Sequence, residues 1–277
     1  KGAGMSAFIE TFPDRYVECG IGEQNAIGVC AGLSAQGFIP VVAAITPFIT
    51  MRCYEQIRDD IGYTKMNVKI VGSGGGLAYS TLGSTHEALE DVAIMRTIPH
   101  MIVLCPGDGY EVEQCLQEAV VTRGPVYIRM PRQAREEFAP LSKRNFVIGR
   151  GEVLAEGGDT AIIATGPSVG EAKKAAELLT GAGIHAAVVD CPTVEPLDVC
   201  LIKQLSGKYG TLFTVEEHSV VNGLGSAVAD AVASQASACR VLKIAVPKGE
   251  KQVGPYDEVV DDYGLSGKKI ATFIKSH

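Results

Sequence analysis

The sequence predicts an α/β protein with two three-layer domains, each built on a parallel sheet that helices cover on both faces. Short apolar runs alternate with helical patterns along the chain, which is typical of buried parallel strands. The 277 residues are 46% hydrophobic, so the chain can bury two substantial cores. A charged connection at about 131–150 separates two such series. We therefore expect one domain at 1–135 and another at 136–277.

The first domain is predicted from five apolar runs and the stretches between them. Strands are expected at 16–19, 40–45, 68–71, 101–104 and 126–130. Helices are expected near 22–36, 48–61, 86–96 and 109–122. Gly20 and Gly22 would let the chain turn tightly into the first helix, and Asp108 suits the N-cap of the last one.

The second domain repeats this alternation without repeating the sequence. Strands are expected at 160–164, 185–190, 211–215 and 241–245, with helices near 168–180, 197–206 and 223–235. Glu217 and His218 come at the end of the third of these strands, where we expect hydrogen bonding in the core or at an interface. This domain is expected to support dimerisation.

Composition narrows the classes of partner and compartment. A formal net charge of -7 argues against a nucleic-acid or anionic-membrane partner. The eight cysteines form no C-x-x-C pair and mostly lie in apolar runs, which argues against disulfides and a structural zinc. The best apolar run, 39–49, is short and contains Pro40 and Pro47. These features predict a cytoplasmic protein without a membrane partner.

The segment 16–25 is the most informative stretch, because it places the carboxylate of Glu23 where an apolar run turns into a glycine-rich helix. The helix dipole would stabilise an exposed carboxylate there, whereas burial without a positive partner would disfavour the ionised form. The helix carries small residues that allow another backbone to approach closely: Ala26, Gly28, Ala31, Gly32 and Ala35.

An ordered set of motifs extends this observation over nearly the whole chain. The set comprises 13–24 (PDRYVECGIGEQ), 46–49 (TPFI), 55–59 (EQIRD), 67–72 (NVKIVG), 83–86 (GSTH), 90–96 (EDVAIMR), 106–108 (PGD) and 129–132 (RMPR). In this order the motifs resemble the C-terminal half of a transketolase, which is a pyrimidine-binding domain followed by a C-terminal domain. The resemblance is to the C-terminal subunit of a split enzyme, and it implies that the family's first strand would precede Lys1.

The resemblance implies a thiamine diphosphate site on the first domain. Glu23 matches the glutamate that holds the pyrimidine ring nitrogen, and its acid form would help the cofactor lose a proton. Phe48 matches the aromatic residue that stacks on the pyrimidine, with Ile45 and Met51 expected to line the same slot. His86 is expected to act on the substrate, as a catalytic and a binding residue. Arg132 is expected to bind a substrate phosphate.

Two positions depart from the family pattern, so the resemblance does not imply the family's usual substrates for this chain. A histidine that helps bind the acceptor phosphate is replaced by Gly74, and an aspartate that binds a donor hydroxyl is replaced by Leu82. We therefore expect a changed sugar preference.

The Mg²⁺ and diphosphate ligands are expected on a partner. Gly107-Asp108-Gly109 looks like the start of the family's metal motif, but the asparagine that should follow after about 25–30 residues is absent, since the first is Asn145. No metal ligand is assigned to this chain. We expect an N-terminal diphosphate-binding subunit or domain and an even-numbered complex.

The leading functional hypothesis is the transfer of a two-carbon ketol unit from a ketose to an aldose. Within the same cofactor class, a 1-deoxyxylulose-phosphate synthase and the β component of a 2-oxo acid dehydrogenase are alternatives. The first shares Gly-Ile-x-Glu-Gln-His, where this chain has Asn25. A noncatalytic regulatory or scaffold protein of the same fold is a further alternative.

Overall fold

Two five-stranded sheets organise the computed structural model, which describes residues 5–132, 137–140, 144–235, 238–249 and 251–277. The first sheet has the order β1-β2-β4-β3-β8 and the second β10-β9-β6-β7-β5. The strands are β1 (Val41–Ile45), β2 (Lys69–Ser73), β3 (Ile102–Leu104), β4 (Val126–Met130), β5 (Glu152–Ala155), β6 (Thr160–Ala164), β7 (Ala186–Asp190), β8 (Thr193–Glu195), β9 (Thr211–Ser219) and β10 (Arg240–Val246).

Each sheet is parallel except for one edge strand. Strands β1, β2, β4 and β3 pair in parallel, as do β7, β6, β9 and β10. The edge strands β8 and β5 run antiparallel to β3 and β7. The predicted α/β class with two parallel sheets is confirmed for these eight strands. The two antiparallel strands were missed, because β8 is only three residues long and β5 is half-exposed.

Helices flank both sheets. They are α1 (Ser6–Thr11), α2 (Glu23–Ala35), α3 (Thr46–Ile49), α4 (Tyr54–Gln56), α5 (Asp91–Met95), α6 (Gly109–Val121), α7 (Ser168–Thr180), α8 (Val199–Lys208), α9 (Leu224–Ala233), α10 (Tyr256–Asp262) and α11 (Gly267–Lys275). A π-helical segment spans Ile57–Tyr63, and 3₁₀ turns span Pro13–Arg15 and Ser80–Thr85. In the described part of the chain, no helix is long and apolar enough to cross a membrane.

The predicted strand at 16–19 is wrong. These residues form an irregular connection, and the exposed fraction of Val17 is 62%. The Glu18 side chain accepts hydrogen bonds from the Tyr16 hydroxyl (2.6 Å) and the Gly20 amide (2.9 Å). These local hydrogen bonds compete with strand pairing.

Two predicted helices are also corrected. The helix expected at 48–61 is divided into α3, α4 and the π-helical segment, so the backbone changes its hydrogen-bond pattern twice within it. The helix expected at 86–96 shrinks to α5, because residues 86–90 are irregular and Ala88 is bridged to Gly76 instead.

One of the apolar clusters contains residues of both sheets. After β7 the chain crosses to the first sheet, where β8 pairs Thr193 with Leu104 and Glu195 with Val103. One buried cluster accordingly contains Ile27 and Tyr127 of the first half together with residues of β6, β7 and α9. The predicted domain boundary between 135 and 136 lies outside the described residues.

Beyond that boundary, the guanidinium of Arg144 joins the two halves. It contacts the carboxylates of Asp108 (2.5 Å), Glu111 (2.5 Å) and Asp190 (3.3 Å), all of them buried. Asp108 is also the N-cap of α6, since its Oδ1 accepts the Glu111 amide at 2.9 Å, as the sequence predicted. Burial, followed by the neighbouring Glu111 carboxylate, raises the pKa of Asp190 well above its usual range.

Candidate active site

The predicted site residues of the first half gather at the carboxyl ends of parallel strands. Ile45 ends β1, and its Cα partner Ser73 ends β2, which in turn pairs with Met130 at the end of β4. This edge of a parallel sheet is where ligands usually bind in α/β folds. Phe48 follows β1 in α3, and Arg132 follows β4. Met51 follows α3 and is partly buried, as is Ile45.

Glu23 begins α2 and is bound to a cation. Nη1 of Arg52 donates to its Oε2 at 3.0 Å, and only 13% of the Glu23 side chain is exposed. The same guanidinium lies 4.5 Å from the centroid of the Phe48 ring, within cation–π range. Glu23 is therefore paired with a positive side chain in this structure.

His86 also lies next to Phe48. The two ring centroids are 5.2 Å apart, and the rings meet edge to face at 69°. The His86 Nδ1 is 2.9 Å from the hydroxyl of Thr85. A second aromatic ring, that of Tyr79, has its centroid 6.0 Å from the imidazole.

Arg132 completes the row through Tyr79. Its guanidinium carbon lies 4.5 Å from the centroid of the Tyr79 ring, and Arg132 itself is exposed. We call the resulting set the site row, and its members are Glu23, Arg52, Phe48, His86, Tyr79 and Arg132. The structure thus brings together the four polar and aromatic residues that the sequence singled out.

Arg52 and Tyr79 were missed by sequence reasoning. Arg52 stands four residues after Phe48, which is a spacing at which side chains on one helical turn meet, so a signal was present. Tyr79 had no comparable signal, because its contacts depend on how the irregular stretch after β2 folds back.

Tyr79 also explains the glycine at position 74. Gly74 has φ +73°, and a Cβ there would lie 2.2 Å from Cε2 of the Tyr79 ring. A histidine side chain in this place is incompatible with the observed position of the ring. Leu82, the second departure, lies in the Ser80–Thr85 turn and is 53% exposed. The ring therefore fills part of the space that the family pattern gives to polar groups.

A buried hydrogen-bond network centred on Arg129 lies close to the site row in the fold. Arg129 is 5% exposed, and its Nε donates to Asp91 at 2.9 Å. Its Nη2 donates to the carbonyls of Ala88 (2.7 Å) and Glu217 (2.8 Å). Burial by itself would lower the pKa of Arg129, but the Asp91 carboxylate raises it above its ordinary value. Tyr127 donates to the same carboxylate at 2.6 Å, and burial, then Asp91, raises the pKa of that tyrosine well above its usual range.

Glu217 and His218 hydrogen-bond across the contact between the two halves, as the sequence predicted. Glu217 accepts from the Tyr256 hydroxyl and, at 3.4 Å, from the Leu77 amide. Nε2 of His218 accepts the Ala93 amide of α5 at 3.3 Å, so the ring satisfies a free N–H at the start of that helix. Among the described residues, no group of three or more His, Cys, Asp or Glu side chains is arranged to hold a metal ion.

Comparison with known families identifies both halves of the chain. Residues 1–136 match the model of the transketolase pyrimidine-binding domain, and residues 149–270 match that of the transketolase C-terminal domain. A solved structure described as a split-gene transketolase, inactive β4 tetramer, superimposes with a TM-score of 0.88 at 36% identity. That match covers 98% of this chain and 86% of the other.

Three curated relatives align over almost the whole chain. A putative transketolase C-terminal section of Methanocaldococcus jannaschii is 39% identical over 96% of this chain and 84% of its own length. One subunit of an apulose-4-phosphate transketolase from Phocaeicola vulgatus is 36% identical over 96% of this chain and 85% of its own length. A 1-deoxy-D-xylulose-5-phosphate synthase of Heliobacterium modesticaldum is 36% identical over 98% of this chain, which spans only 42% of that enzyme.

Proposed function

The chain belongs to the transketolase family, and we propose that it is the C-terminal component of an enzyme that transfers a two-carbon ketol unit between sugars or sugar phosphates. The observation that carries this proposal is the site row, in which a helix-start carboxylate, an aromatic ring, an imidazole and a guanidinium follow one another along the carboxyl edge of a parallel sheet. Two relatives are named as a C-terminal section and as a subunit of a transketolase, which supports a component role.

The residues present fit the pyrimidine part of thiamine diphosphate, with one condition. Glu23 would bind the ring nitrogen, and the partly buried Phe48 would contact the ring face, flanked by Ile45 and Met51. When bound, the cofactor would supply the carbon nucleophile that the reaction with a donor carbonyl needs. The condition is that Arg52 moves, since its guanidinium now makes both the contact to Glu23 and the contact to Phe48.

His86 and Arg132 would bind the substrate. The imidazole lies between the Phe48 and Tyr79 rings. From this position it would exchange a proton with a substrate hydroxyl. The Arg132 guanidinium has one face toward Tyr79, and its edges are available for a bidentate contact with a phosphate or another oxyanion. Gly74 and Leu82 have no polar side chain where the family pattern has a histidine and an aspartate. We therefore propose that the preferred sugars differ from the ordinary pentose phosphates.

The remaining cofactor ligands would come from a partner. The proposal assigns Mg²⁺ and the diphosphate to an N-terminal subunit or domain, with the cofactor bound between the two components in an even-numbered complex. The small residues of α2 leave open space above Gly28 and Gly32, because a Cβ at either would meet no atom within 4 Å. This helix face would suit close contact with the partner.

A binding titration tests the proposal. Purified chain titrated with thiamine diphosphate and Mg²⁺ should show little heat, and adding a diphosphate-binding subunit should create a strong, saturable signal. Glu23→Ala in the assembled complex should cut turnover by several orders of magnitude while the circular dichroism spectrum stays unchanged. Tight magnesium-dependent binding by the chain alone, or near-normal turnover of the variant, would refute the proposal.

Product analysis separates the alternatives. Ketol transfer converts a ketose and an aldose into a new pair without gas release. Carbon dioxide released from pyruvate would instead favour either the β component of a 2-oxo acid dehydrogenase or the synthase-like function. The 36% identity to the Heliobacterium modesticaldum enzyme makes the synthase-like function the second candidate. An assembled complex that binds the cofactor but turns over neither substrate would support a noncatalytic role.

A further inference from the structure

His86 is carried by a loop that is closed at its stem. Gly76 and Ala88 exchange two backbone hydrogen bonds of 3.1 and 3.0 Å, which define a loop of residues 77–87. Tyr79, Leu82 and His86 all lie on this loop. Their position relative to Phe48 therefore depends on whatever fixes the loop beyond its stem.

A segment from the second half of the chain packs on this loop. We call residues 251–256 the strap. The Ser80 hydroxyl donates to the Gly254 carbonyl at 2.9 Å, and the Gly254 amide donates back to the Ser80 carbonyl at 3.3 Å. A Cβ at Gly83 would lie 3.0 Å from Cγ2 of Val253. At the other end of the strap, Tyr256 donates to the Glu217 carboxylate. The strap therefore contacts the loop directly and, through Glu217, is connected to its stem.

One cation of the strap pairs with a carboxylate in the segment that follows His86. The Lys251 ammonium lies 3.1 Å from Oε1 of Glu90. Glu87 is 2% exposed, and neither of its carboxyl oxygens has a hydrogen-bond partner among the described residues. Burial raises the pKa of Glu87, the ammonium of Lys251 opposes that rise, and the Glu90 carboxylate adds to it. Lys251 is thus the cation that offsets two neighbouring carboxyl groups on one short segment.

We infer that Lys251 is a positioning residue for His86. Without its ammonium, Glu90 would lose its ion pair, and the buried carboxyl of Glu87 would lose the nearby positive charge that favours its ionised form. The segment 86–90 would then move toward water to hydrate Glu87, and His86 would move with it. A role for this motion in catalysis rests on the function proposed above, whereas the structural coupling does not.

Hydrogen exchange measured by mass spectrometry tests this coupling in the full-length chain. In Lys251→Met, amides of residues 86–90 should exchange about tenfold faster, the scale expected when a partly exposed ion pair and a buried carboxyl lose their cation. The matched control is Lys248→Met, which removes an exposed lysine three residues away and should change nothing at the loop. Lys251→Arg should retain protection, and Glu87→Gln combined with Lys251→Met should restore it.

The outcomes separate a positioning role from general stability. Exchange that accelerates evenly over the whole chain, or a Lys251→Met profile equal to that of Lys248→Met, would overturn the inference. The inference would also be overturned if protection were lost both in Lys251→Arg and in the double variant Glu87→Gln with Lys251→Met. In the assembled enzyme, Lys251→Met should raise the KM for the donor more than it lowers kcat. If the local hydrogen exchange changes as expected but the assembled complex shows no ketol transfer, the positioning of His86 would be supported and the proposed function refuted.

Discussion

Replacing Arg129 with methionine should lower the free energy of unfolding by about 3–5 kcal/mol, the usual cost of removing one partner from a buried ion pair. Methionine has a similar length but no donor. Asp91 is fully buried and would keep only the Tyr127 hydroxyl, while its Oδ1 already lacks a partner among the described residues. The carbonyls of Ala88 and Glu217 would each lose a donor as well.

Two further variants establish the origin of that loss. Arg150→Met is the matched control, because that side chain is 64% exposed and lies 3.8 Å from Asp198, so its pair should contribute no more than about 1 kcal/mol. Asp91→Asn combined with Arg129→Met should recover part of the loss, since the amide removes the unpaired buried charge. The loop stem at Ala88 should also lose hydrogen-exchange protection in Arg129→Met alone.

Urea unfolding followed by far-ultraviolet circular dichroism measures these differences, because the chain has no tryptophan to report by fluorescence. The transition should shift to lower urea with little change in its slope. A loss for Arg129→Met within about 1 kcal/mol of that for Arg150→Met would refute the reasoning, since an exposed pair is worth no more. A double variant less stable than Arg129→Met would refute the role assigned to Asp91.

Three other changes have expected outcomes. Arg52→Met should tighten thiamine diphosphate binding to the assembled complex about tenfold, because the cofactor no longer displaces an ion pair and a cation–π contact. The control is Arg58→Met, which removes a similarly exposed guanidinium that also makes one ion pair and one cation–π contact, but outside the site row. It should leave the affinity for the cofactor unchanged. Gly74→Ala should cost more than about 1 kcal/mol in urea unfolding, owing to its positive φ and the tyrosine ring at 2.2 Å, whereas Gly28→Ala should be neutral or stabilising. Burial lowers the pKa of Lys69 to about 8, so between about pH 8 and 10.4 the unfolded chain binds a proton that the native protein does not. The free energy of unfolding of the native protein, relative to that of Lys69→Met, should therefore rise with pH over this range by at most about 3 kcal/mol. A difference that does not change with pH would contradict this.

Much of the fold follows from local patterns. Strands β4 and β6 and helix α7 have the bounds that the sequence predicts, because continuous apolar runs and a 3.6-residue period are properties of short segments. The candidate site could be anticipated in part for a similar reason. Phe48 and Arg132 follow strands whose carboxyl ends lie at one edge of the sheet, so an ordered set of motifs is enough to bring them together. Their roles stay predictions.

The sequence by itself therefore determines the α/β class with its two parallel sheets and the set of candidate site residues. The tertiary structure alone decides that β8 of the second half completes the first sheet, that Arg52 binds Glu23, and that the Tyr79 ring fills the space beside Gly74. The physical reason is the distance along the chain. Arg52 and Glu23 are 29 residues apart, and β8 pairs with a strand some ninety residues earlier, so neither contact leaves a trace in the periodicity of a short segment. These contacts form only when the packed sheets bring groups of complementary charge and shape together.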